Sequence, residues 1–183
     1  SEVERLLKEL KELLEELKKK VDDVLKDLEE LLKRLEDHTR EVVKRSEDLL
    51  RELEEMKRRG DLREELLKRA VEESSKLVRD DRERLRKALE EVEKRIRDVK
   101  RELEKAVKEI EEKVRDLERK LKDKEEVVRE LRRVLEEVRR TAERLLEKLD
   151  TVLKKVEDKI RELLKESTRV NKDAKREIDR LRK

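Results

Sequence analysis

The sequence predicts an all-α fold: a long, nearly untwisted, coiled-coil-like antiparallel three-helix bundle that runs up-down-up. Three observations lead there. The 183 residues are dominated by Ala, Leu, Glu, Lys and Arg, with no proline and one glycine, so helix formers abound and helix breakers are almost absent. Start signals recur at three nearly even intervals. The apolar residues return every eighteen positions.

The start signals set the elements. Ser1 precedes Glu4, Asp61 precedes Glu64, and Asp123 precedes Glu126. Each is a capping side chain with an acid three residues on, a pattern that satisfies backbone N–H groups orphaned at a helix start. Gly60 stands where a left-handed residue closes a preceding helix. The expected helices are about 2–58, 62–121 and 124–182, each roughly 85–90 Å long at 1.5 Å rise per residue. Short links make neighbours antiparallel, and residues 1–183 are expected to form a single bundle.

The first helix carries Leu6, Leu7, Leu10, Leu13, Leu14, Leu17 and Val21, repeated as Val24, Leu25, Leu28, Leu31, Leu32, Leu35 and Thr39. The second repeats Leu67, Leu85, Leu103 and Leu121, with Ala70, Ala88 and Ala106 alongside. The third repeats Val127, Leu145, Leu163 and Leu181. Eighteen residues make five turns at 3.6 per turn, so each stripe runs straight, where a strict heptad would supercoil. The stripe spans about 120° of each helix, enough for three helices to close one core and leave no second apolar face. A monomer is expected, with a helix-exchanged dimer as the open alternative.

Charge excludes several function classes. Of the residues, 57 are basic and 54 acidic, interleaved to a net +3, and there is no aromatic residue. A nucleic-acid binder concentrates its positive charge and adds stacking side chains, so none is expected as a partner. Runs such as Lys18-Lys19-Lys20 read as solvated faces. No stretch is apolar enough to span a membrane or act as a signal peptide, and a soluble, cytoplasmic product is expected on recombinant expression. No cofactor is expected. One histidine and no cysteine do not make the usual zinc sets, and one glycine does not make a phosphate loop.

Three capped helices, the eighteen-residue repeat, a Leu/Val/Ile/Ala interior and a Glu/Lys/Arg exterior resemble de novo designed, parametrically generated three-helix bundles. The resemblance covers the whole chain and implies a structural scaffold with no natural substrate. In outline the chain is also similar to spectrin-type repeats, but those have aromatic core anchors, and none is present here.

One local feature departs from the repeat. Twelve residues are neither charged nor hydrophobic. Ser1 caps, Gly60 turns, Thr151 points outward, and Ser75, Thr141 and Thr168 lie at or beyond the stripe edges. The other six are His38, Thr39, Ser46, Ser74, Ser167 and Asn171, and Asp81 joins them in the slot of Val99 and Leu117. Folding the first turn pairs positions summing to about 120, and the second those summing to about 245. Ser46, Ser74 and Asn171 then form one layer, and Thr39 faces Asp81 roughly 10 Å further along. Ser167 falls between the layers, and His38 flanks the lower one.

Buried polar groups are nearly always hydrogen-bonded, so these residues are read as a network that penalises slipped helix pairings. Changing Asn171 alone to Leu is then expected to strand the serines and lower stability. A His38–Asp81 contact would respond to pH, because histidine changes charge near neutrality. A Ser-His-Asp hydrolase is not expected: the helical rise separates the groups, and no oxyanion hole is nearby. The alternative function is a binding or interaction module, accepting a partner helix or a small polar ligand at the polar section.

Overall fold

The computed structural model describes all 183 residues. Three helices, α1 (Glu2–Arg59), α2 (Glu64–Lys120) and α3 (Glu125–Arg182), form an all-α three-helix bundle without strands. α2 runs unbroken through Asp81, as a sequence without proline allows.

The caps follow the sequence at one end and depart from it at two. The Glu4 amide donates to Ser1 Oγ at 3.3 Å, the expected N-cap of α1. At the far end of α1, Gly60 takes a φ of 77°. Its amide donates to the Lys57 carbonyl at 3.1 Å, and the Asp61 amide donates to the Met56 carbonyl at 2.9 Å. Together these two bonds make a Schellman closure. Asp61 is thereby committed to ending α1 and does not start α2. The first turn of α2 instead bonds to the Arg63 carbonyl, and the helix begins at Glu64, two residues later than the capping pattern predicts. Likewise the Val128 amide bonds the Lys124 carbonyl, so Lys124 takes the position expected of Asp123, and α2 ends at Lys120.

The chain divides into two compact units, each with a segment of every helix. The first comprises Ser1–Leu28 and Val92–Lys154. Its core joins Leu10 of α1, Ile110, Val114 and Leu117 of α2, and Leu131, Leu135 and Val138 of α3. Arg139 reaches Glu111 at 3.1 Å across the antiparallel α2–α3 pair.

The second unit comprises Glu29–Glu91 and Lys155–Lys183. Leu53, Leu67, Ala70, Ile178 and Leu181 pack together near its turn. Leu85 is fully buried, a burial that contributes about 1.5–3 kcal/mol. Lys159 of α3 lies 3.7 Å from Glu36 of α1, a pairing that runs parallel, as up-down-up order requires. The polar departures from the repeat all fall in this unit. Thr141, in the first unit, is buried instead of lying at the stripe edge, and its hydroxyl donates to the Glu137 carbonyl of its own helix at 2.9 Å.

Candidate functional site

The second unit holds one carboxylate inside its core. Asp81 stands in a slot that the repeat otherwise fills with Val99 and Leu117, and its side chain is 1% exposed. Donors reach it from both other helices. Thr39 of α1 donates to Oδ2 at 3.0 Å, and Ser167 of α3 donates to the same oxygen at 2.5 Å. His38 Nδ1 lies 2.8 Å from Oδ1. With Asp81 ionised, Nδ1 is the donor in this contact, since a carboxylate only accepts.

The four residues differ in access to water. Thr39 and Ser167 are fully buried, whereas His38 closes the cluster from the edge with its side chain 29% exposed. A buried carboxylate without partners costs several kcal/mol, and here three side-chain donors converge on its two oxygens. Neighbouring positions 38 and 39 can both serve because Thr39 lies on the buried stripe of α1 while His38 reaches in from beside it.

Ser46 and Ser74, both buried, form a separate contact between α1 and α2, with their oxygens 3.4 Å apart. That is at the long end for a hydroxyl pair. Asn171 is not part of it. Its Oδ1 is buried with no donor, and its side chain borders the groove between α2 and α3. The three-residue layer expected from the sequence is therefore a pair.

The reason is the α2–α3 register. Facing positions add to 248 for Asp81 with Ser167 and to 250 for Glu111 with Arg139, against the expected 245. That register pairs Asp81 with Ser167 and leaves Asn171 bordering the groove.

Sequence reasoning also passes over Arg82. Its Nε is buried without an acceptor, on the groove that Asn171 lines. In a chain where most residues are charged, one more arginine carries no compositional signal. Only its orphaned donor marks it.

Chemically, the cluster joins Ser167 and His38 to one carboxylate but not to each other. A nucleophile needs its base within hydrogen-bond reach, and the Ser167 hydroxyl, fully buried, is spent on Asp81. No group of three or more His, Cys, Asp or Glu side chains is placed to hold a metal ion. No helix is long and apolar enough to cross a membrane.

No known protein family matches the sequence, and no curated protein matches it. Among solved structures, the chain is similar to a computationally designed three-helix bundle at 15% identity, over 99% of this chain and 84% of that one, with a TM-score of 0.33.

Proposed function

We propose that this chain is a designed, non-catalytic structural scaffold with no natural biochemical activity, in which the buried Asp81 cluster fixes the mutual register of the three helices. The observation that carries this reading is Asp81 on α2 accepting hydrogen bonds from Thr39 on α1 and Ser167 on α3. An aliphatic core attracts any apolar neighbour, so a repeat of near-identical Leu and Val layers tolerates a slip from one layer to the next. A buried carboxylate does not. After a slip it would face leucine, and an unpaired buried charge costs about 3–5 kcal/mol.

The internal regularity supports a designed origin, with Leu67, Leu85 and Leu103 each eighteen residues apart. The surface supports a monomer: no large hydrophobic side chain is exposed, so there is no apolar patch for a second chain to cover.

The test is to return the cluster to the repeat with Thr39→Val, Asp81→Val and Ser167→Leu in one chain. The variant is expected to keep or raise its denaturation midpoint, as buried ion clusters replaced by well-packed aliphatics commonly do. It should also lose the single set of sharp side-chain methyl resonances that a unique register gives. A variant with one sharp set would reject the register role.

A further inference from the structure

We propose that the groove between α2 and α3 beside the Asp81 cluster binds a hydrogenphosphate group, held by Arg79, Arg82, Arg86 and Lys175 as donors and by Asn171 as acceptor. All five side chains line this groove, and its one acid is Glu83. Arg79, Arg82 and Arg86 share a face of α2 through their three- and four-residue spacings, and Lys175 lies one turn beyond Asn171 on α3.

Two independent observations carry the assignment. The first is a local concentration of positive charge, with Arg79, Arg82, Arg86 and Lys175 set against the single acid Glu83. Where α2 and α3 pass each other in the first unit, Arg139 is matched by Glu111. Where α1 and α3 pass in the second unit, Lys159 is matched by Glu36. In the Arg82 groove none of the four cations forms an ion pair, and Glu83 is drawn to Lys87, one turn along its own helix. The second is a pair of orphaned buried atoms of opposite character, the Arg82 Nε donor and the Asn171 Oδ1 acceptor.

An oxyanion satisfies the guanidinium groups, which present planar donor forks suited to phosphoryl oxygens. Asn171 Oδ1 asks for something more, because it can only accept. Inorganic phosphate at neutral pH retains at least one P–OH and can donate to Oδ1 while its remaining oxygens accept from Arg82. Sulfate offers no such proton. The groove is thereby suited to hydrogenphosphate over sulfate of similar size and shape.

The experiment titrates the full chain with sodium phosphate, and separately with sodium sulfate, holding ionic strength constant with sodium chloride, and follows the Arg82 Nε–H resonance. The expected result is a saturable shift with phosphate, weaker by about threefold to tenfold with sulfate, the worth of one neutral hydrogen bond. Arg82→Gln should weaken phosphate binding by about tenfold. Asn171→Leu should remove the difference between the two anions. A shift that does not saturate, or sulfate binding as tightly as phosphate, overturns the proposal. If a variant fails to fold, the comparison of the two anions on the unaltered chain still decides.

Discussion

Ser167 on α3 donates its hydroxyl to Oδ2 of Asp81 on α2 at 2.5 Å, with both residues withdrawn from solvent. Thr39 on α1 donates to the same oxygen. One atom thus ties three helices at one level, and the consequences differ for each partner.

Ser167→Ala and Thr39→Val each remove a fully buried donor that water does not readily replace. Each is expected to cost about 1–3 kcal/mol. His38→Ala removes a donor from the exposed edge, where water can take its place, and should cost less than either. Urea midpoints of the three variants check the order. His38→Ala as the most damaging of the three would mean that the edge contact, not the buried hydroxyls, supports Asp81.

Asn171→Leu is expected to raise stability, the reverse of what a three-residue polar layer implies. Its Oδ1 is buried without a donor, so removing it relieves a desolvation penalty of about 1–3 kcal/mol. In a chain of this length each kcal/mol moves the thermal midpoint by about 2–4 °C. A lower midpoint would show that Asn171 has a partner within the core.

Ser46 and Ser74 should be only weakly coupled. With 3.4 Å between their oxygens, a double-mutant cycle through Ser46→Ala and Ser74→Ala is expected to give an interaction below about 0.5 kcal/mol. Coupling above about 1 kcal/mol would mark this pair as a second tie. Filling both slots with the repeat's own residues, Ser46→Leu with Ser74→Val, should stabilise the chain by burying more apolar surface.

Gly60→Ala isolates a pure backbone effect. A Cβ there meets nothing within 4 Å, so only the φ of 77° opposes it. The expected cost is about 1 kcal/mol, with Gly60→Asn costing less because asparagine tolerates the left-handed region. Equal midpoints for Gly60→Ala and the unaltered chain would contradict the Schellman closure.

Much of this architecture is legible in the residues. The return of Leu67 as Leu85 and Leu103 fixes the helical stripe. The facing of Thr39 with Asp81, and of Ser46 with Ser74, follows from that stripe and a turn at Gly60. What escapes is finer than one helical turn. Asp61 looks like a cap until the Schellman bond from its amide to Met56 assigns it to the preceding helix. Ser167 and Asn171 are separated by four residues, so both fit the polar section on paper. Which of them meets α2's polar side chains depends on an α2–α3 register a few residues from the one the turn centre gives, an offset that the spacing of residues along the chain does not record. Arg82 escapes for another reason: its distinguishing feature is an atom without a partner, a property of packing and not of residue type.

The most direct test of the Asp81 cluster as the register lock measures register itself. The chain has no cysteine, so spin labels attach only where introduced, at the exposed positions Lys44→Cys on α1, Lys76→Cys on α2 and Arg169→Cys on α3, taken in pairs. A slip of one turn displaces a helix by about 5.4 Å, well within the resolution of pulsed dipolar distances. With Asp81, Thr39 and Ser167 intact, each pair should give one narrow distance. In the chain carrying Thr39→Val, Asp81→Val and Ser167→Leu, at least the pairs involving α2 should broaden or split by steps of about that size. Narrow, unshifted distances in that variant would contradict the assignment.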